Sequence, residues 1–401
     1  MQVLVAGGGP AGAICARTLA RAGIRTVLIE ASPDSDKPCA GGLPSVLFEH
    51  YKIPDLLVKQ RATGVLFQAP SGYSVEARFP EGEYIATVNR REFDSHLRWF
   101  AEDAGAIQVR GRVLGYEEKS SQLLVKYRGE EGNVRTTEAD YLIGADGAWS
   151  RIAYKTMGRR LAMVVAMQEL IELPQDRMDV LGGNCIFNYS PQVSPDYYGW
   201  IFPKGNHVSV GVGTRLENKG RLEEFLGKMK EINSEVLQGG KTISRNGAMI
   251  PSGHYKEHGR HRILLAGDAA GMVLPACGEG IFYAMRSGEI AARVIAQLGT
   301  SRPDIVVPRY TDLVNAEFSR IFRYFDKVER AVYDSVINRE VFVRLASDRF
   351  MARKILSAFS TKTPKSTPIF RKFVVSLKLI GIRLKVAMMP REKLDSGASN
   401  K

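Results

Sequence analysis

Six residues near the amino terminus, Gly7-Gly8-Gly9-Pro10-Ala11-Gly12, have the G-x-G-x-x-G spacing that serves a dinucleotide pyrophosphate. Gly7 permits a tight turn, Gly9 lets the backbone approach phosphates, and Gly12 lets a helix pack closely on a strand. Eighteen residues beyond Gly12, Glu30 ends a β-type run, where a carboxylate can accept hydrogen bonds from a ribose. Two further acid–glycine turns, Asp146-Gly147 and Gly267-Asp268, each follow an apolar run. A different chemistry is written at Tyr198-Gly-Trp200-Ile-Phe202-Pro203, followed after seven residues by Gly211-Val-Gly213. Aromatic residues at alternate positions of a strand share one face. They make a broad apolar wall suited to hydrocarbon. The same pattern also suits a plain aromatic strand in a sheet core.

Positioning the glycine loop takes a strand before it and a helix after it, and the chain supplies both. Residues 2–6 (QVLVA) read as a buried strand, residues 10–22 as a helix of small residues, and residues 26–30 (TVLIE) as a second strand. This is the opening of a doubly wound α/β fold with a parallel sheet. Residues 84–88, 111–116 and 123–127 alternate like strands of a mixed layer, and residues 141–145 and 262–266 return to the parallel sheet. Alternation punctuated by Pro and Gly over 161–251 predicts a second sheet, and helix is expected from Gly278 to about Ala358.

The 401 residues, 44% of them apolar, suffice for a large core, and no apolar run is long enough to span a bilayer. The first strand begins next to Met1, with no targeting segment before it. Cys15, Cys39, Cys185 and Cys277 are scattered without metal-ligand spacing, which argues for a reducing, cytoplasmic setting and against a zinc site or disulfide framework. Of the net +13, much comes from one block: residues 351–390 hold nine Lys or Arg and no acid. No nucleic-acid reading module accompanies that block, so an anionic membrane surface or acidic substrate suits it better.

The glycine motif, Tyr141-Leu-Ile-Gly144-Ala-Asp146-Gly147 and Arg262-Ile-Leu-Leu-Ala-Gly267-Asp268 together resemble the three fingerprints of FAD-containing hydroxylases and reductases with a glutathione-reductase-like fold. The resemblance implies that Asp268 holds the ribitol of FAD. It also implies that Gly280 and Ile281 open a helix facing the flavin pyrimidine, and that Arg90, with Arg91 as fallback, meets the phosphates. Ala11 and Val113 complete the implied cofactor set. Lys37-Pro38-Cys39-Ala40-Gly41-Gly42 resembles a flavin-side segment of the geranylgeranyl reductases, which places Cys39, Ala40 and Gly42 by the cofactor. Ala40 stands where plant-type members carry Gly. The Tyr198–Gly213 motif is similar to the substrate-cavity motif of the same reductases, most like the chlorophyll and bacteriochlorophyll branch. Asn338-Arg-Glu-Val-Phe342 and Asp348-Arg-Phe350 share that likeness.

What the resemblance implies is NADPH-driven, FAD-dependent reduction of isolated C=C bonds in a geranylgeranyl chain, with NADPH a transient visitor. Tyr198, Trp200, Phe202, Gly211 and Gly213 would face the substrate, and Cys39 with the three aromatics would take part in catalysis. An archaeal-type lipid or quinone tail as substrate, and a flavin monooxygenase of the aromatic-hydroxylase type, are the alternatives. The expected organisation is an FAD-binding domain over 1–160 and 245–300, with 60–95 partly on the substrate side. A β-rich substrate domain over 161–244, a helical basic region over 301–390 and a disordered tail over 391–401 complete it. In the last helix Phe370, Phe373, Leu377, Ile380, Leu384 and Ala387 share one side and Arg371, Lys378 and Lys385 another. Such a helix can lie on a membrane or dock on the protein.

Overall fold

A computed structural model describes residues 1–362, 369–390, 392 and 394, with backbone alone over 369–377. The chain divides into two units. The first comprises Met1–Lys37, Arg90–Met163 and Met249–Phe322, and the second Pro38–Asn89, Val164–Ala248 and Arg323–Lys401. This differs from the domain limits expected above, because residues 38–89 group with the second unit. The reason is strand pairing: Gly64–Gln68 runs parallel to Cys185–Asn188, a long-range partnership that local spacing does not reveal.

The first unit is built on an eight-stranded sheet. Gln2–Ala6 lies between Arg25–Glu30 and Tyr141–Gly144, both parallel to it, and Ile263–Leu265 continues the parallel order. Val3, Leu4 and Val5 are fully buried, as a strand covered on both faces requires. Ile107–Glu118 joins Arg25–Glu30 in parallel, and the antiparallel strands Leu123–Gly129 and Val134–Ala139 extend that edge. The helix Pro10–Arg21 starts on a proline, whose fixed φ and missing N–H suit the first helical position. It lies against the helix Ile281–Leu298, and a Cβ on Gly288 would come within 2.1 Å of the Ala11 carbonyl oxygen. Glycine there is what lets the two helices meet.

The second unit holds a seven-stranded sheet in the order Lys241–Ser252, Ala162–Glu172, His207–Arg215, Gly199–Lys204, Cys185–Asn188, Gly64–Gln68, Ser74–Arg78. One face is apolar core: Ile201, Val208, Val210 and Val212 pack with Phe225, Leu226 and Met229 of the helix Leu222–Ile232. Side chains alternate across a strand, so Trp200 and Phe202 take the opposite face from Ile201. A small sheet of Gly42–Pro44, Ile85–Val88 and Val58–Ala62 completes the β structure.

Four helices, Val306–Tyr333, Val336–Leu345, Arg349–Thr361 and Ile369–Ala387, end the described chain. The last one docks through Leu379, Ile382, Val386 and Met389 against Val336, Val341 and Leu345. Ile380 and Leu384, on the expected apolar side, are exposed instead, and so is Met388. The helix is apolar on two sides, and the docking contacts fall on the side that spacing did not single out. Phe370, Phe373 and Leu377 lie outside the described side chains. The expected disordered tail lies outside the described residues except Glu392 and Leu394, and Leu394 is buried against this helix.

Candidate functional site

In the first unit the three glycines of the loop do three different things. Gly7 has φ +102°, and a Cβ on it would lie 2.3 Å from the Ala145 carbonyl oxygen. A Cβ on Gly12 would lie 1.8 Å from the carbonyl oxygen of Gly7, so this residue seals the turn against the helix. A Cβ on Gly9 would meet nothing within 4 Å. Protein packing therefore does not require glycine at position 9, and the open space at an uncapped helix N-terminus fits an approaching pyrophosphate.

Around this loop sit the charges. The Glu30 carboxylate accepts from the amides of Gly8 at 2.5 Å and Ser32 at 2.7 Å. Arg90, Asp94 and Arg98 share one face of the helix Arg90–Asp103. Arg90 is 3% exposed and forks onto Asp94, with Nη2 at 2.7 Å and Nε at 3.1 Å. It is a buried, oriented cation, whereas Arg91 is exposed. Arg98 donates to the carbonyls of Gly8 and Pro33 and to Ser95.

The two acid–glycine turns separate here. Asp146 accepts from Ser150 and from the amides of Arg151 and Ile152, so it caps the helix Arg151–Met157. Burial raises its pKa. Asp268 instead pairs with Lys37 at 2.9 Å. Its burial opposes ionisation, but the Lys37 ammonium and the nearby Arg90 outweigh that and hold the carboxyl below its ordinary range. Gly280 adjoins it, since a Cβ there would lie 3.4 Å from Asp268 Oδ1. Ile281 begins the following helix and is buried. Ala11 underlies Gly267 and Gly288. Val113 is buried at a bulge in its strand, where register with Leu123–Gly129 shifts before Gly115.

The second unit brings together two motifs that lie far apart in sequence. The Phe202 ring covers Gly42, where a Cβ would come within 2.5 Å of it. Lys204, buried at the end of the same strand, donates to the Cys39 carbonyl at 3.3 Å, and the Gly41 amide donates to Cys39 Sγ at 3.3 Å. Gly41 takes the left-handed φ of +74° that the tight turn needs, while Ala40 does not. The hydroxyl of Thr87 donates to the Pro203 carbonyl and ties the small sheet to the aromatic strand.

Tyr198, Trp200 and Phe202 lie within a larger row of rings. Phe202 meets Phe187 at 5.3 Å, Phe187 meets Tyr198 at 5.4 Å and Phe67 at 6.1 Å, and Phe67 meets Phe342 at 6.0 Å. Tyr189 contacts Phe342 at 5.1 Å, and Tyr197 stacks on Tyr198 at 4.8 Å. The indole N–H of Trp200 donates to Ser209, whose hydroxyl donates to Gln168, so its one polar group is satisfied. Gly211 and Gly213 serve the rings themselves: a Cβ on Gly211 would lie 2.2 Å from Trp200, and one on Gly213 would lie 2.7 Å from Tyr197.

Several residues beside these were not picked out from sequence. Lys37 stood inside a quoted motif without a role, and Lys204 directly follows the aromatic run. The spacing of Arg90, Asp94 and Arg98 was a usable signal for one helix face, whereas Phe67 gave none because its strand pairs with one more than a hundred residues away. Cys15 and Cys185 are fully buried, and burial pushes their thiols up; Cys39 and Cys277 are partly exposed.

Residues 1–304 match the family model described as FAD binding domain. The chain is 32% identical to the chloroplastic geranylgeranyl diphosphate reductase of Oryza sativa subsp. japonica, over 98% of this chain and 88% of that protein. It is 30% identical to the digeranylgeranylglycerophospholipid reductase of Methanocaldococcus jannaschii, over 74% of this chain and 77% of that one. A crystal structure of a geranylgeranyl bacteriochlorophyll reductase-like protein from Thermoplasma acidophilum superimposes with TM-score 0.77 at 23% identity, covering 95% of this chain and 98% of the other, and so shares the fold. With a glycine cradle suited to FAD and a likeness to these reductases that runs end to end, the chain belongs to the FAD-binding geranylgeranyl reductase family.

Proposed function

We propose that this chain reduces isolated C=C bonds of a geranylgeranyl chain, carried as the diphosphate or as a (bacterio)chlorophyll ester, with NADPH as electron donor. The ring row supports this reading most directly. It gathers rings from separate strands in one unit, and Trp200 has its polar atom satisfied, so the row suits hydrocarbon better than a polar ligand. The likeness at 32% identity over 98% of the chain favours the diphosphate or pigment tail over the archaeal lipid, whose relatives match 74–86% of it at 26–30% identity.

FAD, when bound and reduced, supplies the hydride. Trisubstituted alkenes have no carbonyl to spread developing charge, so the protein must position the bond and deliver a proton to its other carbon. Tyr198, Trp200 and Phe202 hold the hydrocarbon and exclude water. Cys39 is the proposed proton source: its sulfur is fixed by the Gly41 amide, next to the glycine that Phe202 covers. Asp268, now paired with Lys37, and Arg90 would hold the cofactor's ribitol and phosphates.

The same reading sets the reaction at a membrane surface from the cytoplasmic side. No described helix is long and apolar enough to cross a membrane. Exposed Ile380, Leu384 and Met388 form a ridge with exposed Arg383 and Lys385 beside it, a combination suited to anionic lipid. Anaerobic incubation of the purified protein with NADPH and geranylgeranyl diphosphate, followed by mass spectrometry, tests the activity. Products heavier by successive pairs of hydrogens are expected. A reduced flavin that never passes electrons to any prenyl substrate would overturn the reading.

A further inference from the structure

The helix Val336–Leu345 carries a cation for which the chemistry above has no use. Arg339 is 1% exposed, and no carboxylate lies within ion-pair distance of it among the described residues. Asp196, whose charge favours the cation, is already committed to Thr214, the Arg215 amide and Asn218. Arg339 Nη1 donates to the carbonyls of Ser194 at 2.7 Å, Tyr189 at 3.2 Å and Tyr197 at 3.3 Å, and Nη2 donates to that of Pro195. The guanidinium also lies over the Tyr333 ring at 5.0 Å. A buried cation held by carbonyl dipoles and a ring face, without an ion-pair partner, is costly, and it persists where its geometry is needed.

All four carbonyls belong to the segment 189–197, which joins Cys185–Asn188 to the aromatic strand Gly199–Lys204. That segment bears Tyr189 and Tyr197, and Tyr198 follows it directly. Tyr189 contacts Phe342 of the same helix, and both Tyr189 and Tyr197 stack on Tyr333, the last residue of the helix before it, so the stretch 333–342 both pins the segment and supplies rings to the row. The neighbouring Glu340, fully buried, accepts from the amide and hydroxyl of Ser71 and from Arg344, which anchors the helix to the turn after Gly64–Gln68.

We propose that Arg339 is the positioning residue of the ring row: it sets the segment 189–197, and with it the grip of Tyr189, Tyr197 and Tyr198 on the prenyl chain. The proposal rests on the polyprenyl reading of the site. Arg339 itself touches neither substrate nor cofactor. One ammonium cannot span four carbonyls, so lysine is a poor replacement despite its charge.

The test uses the FAD-loaded full chain, reduced with dithionite under anaerobic conditions and mixed with geranylgeranyl diphosphate, with flavin reoxidation followed against substrate concentration. Arg339→Lys is expected to keep its flavin and its limiting rate within about threefold, while the half-saturating concentration rises about tenfold. Amide exchange over 189–198 should quicken in parallel. Unchanged half-saturation, or limiting rate falling alone, would overturn the proposal. Should Arg339→Lys fail to hold flavin, Arg339→Gln takes its place, since it removes the charge and leaves two N–H donors for four carbonyls. A comparable rise in half-saturation is then expected, and no rise would sink the idea. If the wild type is never reoxidised by any prenyl substrate, the polyprenyl reading fails. Amide exchange in the variant still reports whether Arg339 holds its segment.

Discussion

Glycine does opposite work in the two units. At Gly9 of the nucleotide loop the missing side chain leaves open space, and no protein atom lies where a Cβ would reach. At Gly42, Gly211 and Gly213 the missing side chain is already replaced by protein, by the rings of Phe202, Trp200 and Tyr197. The first kind of glycine makes room for a ligand and leaves the fold indifferent. The second kind makes room for the wall that a ligand will meet, so its loss is felt by the fold first and by binding through it. A family motif names both alike, and only their surroundings tell them apart.

That distinction can be broken by substitution. Gly9 has φ −70° and ψ −176°, which alanine adopts without strain, so Gly9→Ala should leave the melting temperature of the flavin-free protein unchanged. Its FAD affinity should nevertheless fall about a hundredfold, some 2.7 kcal/mol by the usual conversion, measured by fluorescence titration. Equal loss of stability and affinity would erase the difference between the two glycine types.

A second contrast concerns acid. His258, fully buried in the first unit, has its pKa pulled down to about 4, by burial first and by the nearby His254 second. The unfolded chain binds that proton near 6.5, so the neutral ring contributes stability that is complete above pH 6.5. The contribution fades as pH falls toward 4 and is then gone, a change of about 3 kcal/mol. Denaturant unfolding of the wild type should show this acid limb, and His258→Phe should flatten it. An identical limb in both proteins would assign the acid sensitivity elsewhere.

The smallest effect expected is at the ring row. Gly211→Ala drives a Cβ to 2.2 Å from Trp200, and the flat indole must shift. Overpacking of this kind costs about 2 kcal/mol, and it should lower the urea midpoint while leaving FAD affinity intact. A midpoint equal to wild type would mean that Trp200 has slack that the packing denies.

The comparison also explains what was legible in the sequence. The nucleotide loop was readable because strand, turn and helix are consecutive, so Gly7, Gly9, Gly12 and Glu30 could be placed by spacing alone. The parallel return of residues 141–145 and 262–266 followed from their apolar runs and the turns that end them. The ring row was readable only along its own strand. Phe67, Tyr333 and Phe342 join it through contacts across more than a hundred residues, and Phe187 and Tyr189 through a neighbouring strand and its exit, none of which a local period encodes. The last helix was legible only in part for a related reason: a segment apolar on two sides has two equally good faces by periodicity, and tertiary packing chose Leu379, Ile382 and Val386.

The central claim is that the ring row holds a prenyl chain, and photolabelling tests it most directly. A geranylgeranyl diphosphate analogue carrying a diazirine on its tail, irradiated with the FAD-loaded protein, should label peptides containing Phe187 to Phe202 and Phe342. Unlabelled geranylgeranyl diphosphate should suppress that labelling. Labels that fall elsewhere, or that persist against excess competitor, would contradict the account.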